Sequence, residues 1–92
     1  MMTPEQCRMA RAGLSISTRE LADAARVSVS TITRFESGQT IPPMTVGLFQ
    51  KALERQGVDF VVNGENVGLW LTKSPGIAPI ISVEGLNASN DD

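Results

Sequence analysis

The stretch that decides the fold is Thr18-Arg19-Glu20-Leu21-Ala22-Asp23-Ala24-Ala25-Arg26-Val27-Ser28-Val29-Ser30-Thr31-Ile32-Thr33-Arg34-Phe35-Glu36-Ser37-Gly38. It reads as two short helices joined by a tight turn. Ser17 precedes the first, and Glu20 follows three residues later, the spacing of a capping box in which hydroxyl and carboxylate satisfy orphan backbone N–H groups. Leu21, Ala22 and Ala25 form an apolar stripe at helical spacing. Arg26-Val27 is the turn, Ser28 is the second N-cap, and Gly38 closes the second helix. With Ile32 and Phe35 turned inward, Val29, Ser30, Thr33 and Arg34 share the opposite face.

That face holds short hydroxyl side chains, one aliphatic group and one arginine. Such a set suits base edges in the major groove: arginine forks onto guanine, Ser and Thr bond several bases, and a methyl touches thymine. A solvated helix surface with no partner is the plainer reading of the same residues. The paired caps and the short turn favour DNA readout over it.

Leu21-Ala22, Val27-Ser28, Ser30-Thr31-Ile32 and Phe35-Glu36-Ser37-Gly38 together resemble the core pattern of the helix-turn-helix family of phage Cro and repressor proteins, often called the Xre family. The resemblance covers about residues 3 to 62. It is especially close to small bacterial regulators whose fourth helix ends as Ala52-Leu53-Glu54 does and runs into Gly57-Val58-Asp59-Phe60. It implies a mainly α, four- to five-helix DNA-binding domain, usually dimeric and usually a repressor. It also implies that Arg11 pairs with Glu36, tying the first helix to the third; Arg11 reaching a phosphate is the alternative, and the two are compatible. Many relatives carry glutamine where this chain has Thr18, a shorter side chain at a position the family uses on the DNA backbone. Ser17, Thr18, Thr31, Thr40 and Arg11 are accordingly expected at the DNA backbone.

The 92 residues suffice for one domain. One cysteine, Cys7, and no histidine leave no intrachain disulfide and no zinc site of the usual kinds. Cys7 reads as a small buried filler in the first helix. No cofactor or metal is expected. No apolar run approaches the roughly 18 residues of a membrane span, and the N-terminus lacks signal-peptide character. A cytoplasmic, nucleoid-associated protein is therefore expected. The absence of histidine, tyrosine and a Gly-rich phosphate loop argues against an enzyme.

Net charge is −2, at first sight unsuited to DNA. Its distribution is uneven: residues 1–57 hold seven basic and five acidic side chains, for +2, and residues 58–92 hold one basic and five acidic, for −4. The helical part is mildly basic, so non-specific DNA affinity should be weak and steeply salt-dependent.

The first helix spans 3–14, with Thr3 as N-cap, Pro4 at the first position and Gln6 completing a capping box. Cys7, Ala10 and Leu14 line one face, Arg8 and Arg11 the other, and Ser15-Ile16 is a bend. Pro42-Pro43 ends the loop 39–43, which in the family offers backbone N–H groups to a phosphate, with Thr40 and Thr45 near it. The fourth helix spans 44–56, with a core stripe of Val46, Phe49 and Leu53 and Gly57 as its stop.

From Val58 the period changes to alternation. Val58, Phe60 and Val62 point one way. A four-residue loop over Asn63-Gly64-Glu65-Asn66 pairs Val62 with Val67, Phe60 with Leu69, and Val58 with Leu71, giving one continuous apolar face. A lone hairpin needs that face covered. Either the helical domain covers it, or a second subunit does. The expected dimer interface comprises Phe60, Val62, Val67, Leu69, Trp70 and Leu71, with Trp70 on the opposite face from the rest.

The chain thus divides into a helix-turn-helix domain, 1–57, a β segment, 58–86, and a disordered tail, 87–92. Residues 79–83 are strand-like. The leading expectation is a sequence-specific regulator, a repressor, reading a palindromic double-stranded operator as a homodimer through the helix 28–37. The alternative is an antitoxin-like or adaptor protein whose β segment and tail bind a second protein.

Overall fold

A computed structural model describes residues 1–72. Four helices, α1 (Pro4–Leu14), α2 (Thr18–Ala25), α3 (Val29–Glu36) and α4 (Pro43–Arg55), precede an antiparallel hairpin of β1 (Val58–Asn63) and β2 (Asn66–Leu71). The fold is therefore a mainly helical helix-turn-helix domain with a C-terminal hairpin. The strand-like residues 79–83, the rest of the β segment to 86 and the tail 87–92 lie outside the described residues.

The helix starts follow the caps. The Thr3 and Ser17 side chains accept from the backbone of Gln6 and Glu20, whose own side chains accept from the cap backbone, so both capping boxes are complete. Ser28 caps α3 through the Thr31 N–H. α4 has no side-chain cap and starts at Pro43, whose fixed φ suits the first position. α1 and α2 both end on non-glycine residues in the left-handed region, Ser15 (φ 58°) and Arg26 (φ 60°). Only such a reversal lets the next helix begin so soon, and short polar or solvent-facing side chains carry its modest cost. After α3 the same reversal falls to Gly38 (φ 97°), the residue type that meets it without Cβ strain.

The core is built from the stripes of all four helices. Cys7, Ala10, Leu21, Ile32, Phe49 and Leu53 are wholly inaccessible to solvent, and Phe35 meets Phe49 edge-on with ring centroids 5.6 Å apart. Such aromatic geometry adds to plain burial, and here it joins α3 to α4. Two further core residues come from segments without periodicity, Met2 ahead of α1 and Ile41 in the α3–α4 loop.

The hairpin register is Val58↔Leu71, Phe60↔Leu69 and Val62↔Val67, as the alternation implies, but pairing continues to Asn63↔Asn66. The loop is thus two residues, Gly64-Glu65, rather than four. Gly64 has φ 65°, and glycine at the first of two central positions is what a type II′ hairpin turn requires. Val58 is buried, and Phe60, Leu69 and Leu71 pack against the helical core. The domain itself covers most of the hairpin's apolar face.

Gln6 fixes that packing. Its side chain is fully buried, its Oε1 accepts from the Thr3 N–H, and its Nε2 donates to the Val61 and Gly68 carbonyls at 3.0 and 2.7 Å. Val61 and Gly68 are a cross-strand pair, so one amide clamps both strands onto α1.

Candidate nucleic-acid interface

α3 is anchored from behind. Glu36, at its C-terminal end, is 9% exposed. Its carboxylate receives a two-point bond from Arg11, Nε to Oε2 and Nη2 to Oε1, both 2.7 Å. The Cys7 thiol donates to Oε2 at 3.1 Å, and Arg8 donates to the Glu36 backbone carbonyl. Burial by itself would raise the Glu36 pKa, but the hydrogen bonds from Arg11 and Cys7 and the nearby positive charge outweigh it and hold the carboxyl below its ordinary value. The hydrogen bond to Glu36 raises Arg11 above its usual pKa against a smaller opposing effect of burial. Burial, followed by the hydrogen bond to Glu36 and its charge, pushes the Cys7 thiol far up, so it stays protonated and serves as a donor. The ion pair implied by the family resemblance is thus present. It is larger than the sequence suggests, because Cys7 and Arg8 join it.

Arg11 has little left for a phosphate. Nε and Nη2 are on Glu36, and Nη1 donates to the Ile16 carbonyl at 3.3 Å. Its geometry is that of a structural tie between α1, the α1–α2 bend and α3.

The opposite face of α3 is open. Ser30, Thr33 and Arg34 are exposed and side by side. Val29 is half-buried and packs against the core, so only part of its side chain is left to meet a partner. It lies three residues before buried Ile32, which places it on the edge of the inner stripe. The hydroxyls are internally bonded: Ser28 Oγ lies 2.7 Å from Thr31 Oγ1 and 3.2 Å from Ser30 Oγ, and Thr33 Oγ1 donates to the Val29 carbonyl at 3.1 Å. Arg34 Nε donates to the Ser30 carbonyl at 3.4 Å, and neither Nη group bonds another of the described residues.

Around this face stand the residues expected at a DNA backbone. Ser17 is exposed at the start of α2 and Thr18 beside it is half-buried; Thr31 is half-buried on α3, and Thr40 is exposed in the α3–α4 loop. Among the described residues no group of three or more His, Cys, Asp and Glu stands together as a metal site would need. No helix there is long and apolar enough to cross a membrane.

Of the residues expected at a dimer interface, Phe60, Leu69 and Leu71 pack on their own domain and Val67 is half-buried. Val62, at the open end of the inner face, and Trp70, on the outer face, are 62% and 68% exposed, and Val61 is exposed on the same outer face as Trp70.

Two capped helices, a left-handed turn of one residue, and a second helix pinned behind and bare in front form the apparatus for laying a helix into a groove. No curated protein matches the chain closely enough to count as a relative. The family model for helix-turn-helix proteins matches residues 5–54, more than half the chain and the whole of the four-helix unit bar its edges. The chain belongs to the Xre/Cro-type helix-turn-helix family of DNA-binding transcription regulators.

Proposed function

We propose that the protein is a repressor that binds a palindromic operator as a homodimer, laying α3 of each subunit in the major groove. The observation that carries this reading is the bare outer face of α3, where Ser30, Thr33 and Arg34 stand exposed on a helix held rigid from behind by Arg8, Arg11 and Cys7. The Nη1–Nη2 edge of Arg34, unbonded among the described residues, matches the two acceptors of guanine, N7 and O6. Ser17, Thr18, Thr31 and Thr40 border the face and hold the backbone. In the dimer, Val62 at the hairpin tip and Val61 and Trp70 on the outer face meet the second subunit. Successive half-sites then lie about 34 Å apart, and occupancy of a promoter blocks transcription.

The test is selection of duplexes from a random pool at near-physiological salt, with Arg34→Ala beside the parent. An enriched palindrome is expected. Arg34→Ala should cost about 1–3 kcal/mol on it and relax one position per half-site. A folded protein that enriches nothing overturns the reading.

A second reading has one observation in its favour. Trp70 is the sole tryptophan of the chain and stands exposed on the hairpin. An antitoxin-like or adaptor role uses that surface for a different protein, with DNA binding serving autoregulation. Stable monomers that enrich no palindrome favour it.

A further inference from the structure

The hydrogen bonds already made on the outer face of α3 decide what each side chain has left to offer a base. A hydroxyl carries one proton and two lone pairs. The Thr33 proton is spent on the Val29 carbonyl one turn back, at 3.1 Å, while the side chain itself is exposed. What Thr33 presents outward is therefore an acceptor. Ser30 differs: its Oγ is 3.2 Å from Ser28 Oγ with the proton free to lie on either oxygen, so its outward sign is not fixed. Arg34 offers only donors, from its two Nη groups.

We infer that Thr33 reads an exocyclic amino group in the major groove, N6 of adenine or N4 of cytosine, by accepting a hydrogen bond from it. This rests on the base-readout reading of α3. The major groove displays the other hydrogen-bonding groups, N7 and O6 of guanine, N7 of adenine and O4 of thymine, as acceptors. To bond any of those, Thr33 must first give up its bond to Val29 O. An amino group is taken without that loss. Adjacent residues thus present opposite signs, Thr33 an acceptor and Arg34 a pair of donors. Each half-site then contains a guanine for Arg34 and, next to it, a base pair whose amino group faces Thr33.

The experiment pairs protein variants with modified operators obtained by the selection described above. Thr33→Val keeps the shape and removes the hydroxyl. Thr33→Ser keeps the hydroxyl and its bond to the helix. Both substitutions fall at an exposed position, and circular dichroism serves to check that each variant folds. At the position relaxed by Thr33→Val, adenine is replaced by purine, or cytosine by 2-pyrimidinone, each lacking only the amino group. The parent and Thr33→Ser should bind the modified duplex roughly 3- to 10-fold more weakly than the natural one, the worth of one neutral hydrogen bond. Thr33→Val should bind the two equally. The inference is overturned if Thr33→Val relaxes no position, or if loss of the amino group costs the parent nothing. It is equally overturned if replacing thymine by uracil is what weakens the parent there, because the threonine methyl is then the reader. Failure to enrich any duplex instead removes the base-readout reading, so the two failures are distinguishable.

Discussion

Replacing Arg11 by Met tests whether the tie behind α3 holds the fold together. Methionine keeps much of the apolar stem and removes the guanidinium, leaving Glu36 buried at 9% exposure with the Cys7 thiol and the Arg8 charge alone to offset it. Removing one partner of a buried ion pair costs about 3–5 kcal/mol. Arg11 is 21% exposed, and the partial solvation lowers that to about 2–3 kcal/mol. For a domain of this size each kcal/mol moves Tm by roughly 4–8 °C, so a fall of roughly 10–20 °C is expected at pH 7. The pH dependence has a definite sign. In the parent the Glu36 pKa is held below its ordinary 4.5, so the stabilisation is full above that pH and is lost as the pH falls through the lower, folded value. In Arg11→Met burial dominates and the carboxyl protonates more readily. The gap between parent and variant should therefore begin to close while the pH is still above 4.5, as it falls through the variant's raised folded value, and go on closing to the parent's lowered one. Arg11→Met with Glu36→Gln, which leaves no bare charge, should be more stable than Arg11→Met alone. Thermal melts by circular dichroism at pH 7 and pH 4 give all three results. An unchanged Tm at pH 7, or a gap that ignores pH, refutes the reasoning.

Other outcomes follow from the same structure. Gln6→Met removes the only side-chain donor among the described residues to the Val61 and Gly68 carbonyls and should destabilise by about 1–3 kcal/mol; hydrogen exchange should show hairpin amides losing protection before those of α2 and α3, and uniform loss would contradict the clamp. Trp70→Ser should shift the mass measured by light scattering from dimer toward monomer while leaving Tm extrapolated to low concentration nearly unchanged; a persistent dimer would move the interface elsewhere. Cys7, inaccessible and held protonated, should react with a thiol reagent at pH 8 only as fast as the domain opens. A reaction at the rate of a free thiol would contradict its placement.

Much of this architecture is legible in the sequence because its signals are local. The Thr3–Gln6 and Ser17–Glu20 boxes, the inner stripe of α4 and the hairpin register each rest on spacing within a few residues. What was hidden depends on distant contacts. Gln6 satisfies its local role with one atom, Oε1, and its long-range role with another, Nε2, so the cap conceals the clamp. Met2 and Ile41 enter the core from segments with no period to betray them. Arg8 looks like a solvated charge because its partner is a backbone carbonyl, which no pattern of side chains marks. Asn63 and Asn66 are turn-forming residue types, so the sequence implies a four-residue loop, yet here both remain in the ladder. Val29 belongs by residue type with the outer face of α3, but its spacing to Ile32 puts it on the boundary, half-buried against the core. On the outer face itself, the residue types suggested base contacts, but the sign each hydroxyl presents depended on bonds visible only in the fold.

α1 is a mechanical link between two elements. Within one helix, Gln6 grips the hairpin while Cys7, Arg8 and Arg11 grip the end of α3. Arg11 lies five steps along the helix from Gln6, about 7.5 Å along the axis at 1.5 Å per residue. The hairpin and α3, the helix proposed to enter the groove, are thus fixtures on one short rod, with no loop in series between them. Any load that tilts the hairpin by moving α1 also moves the seat of α3. By reciprocity of linked equilibria, a DNA site that favours one seating of α3 favours the matching pose of the hairpin by the same free energy.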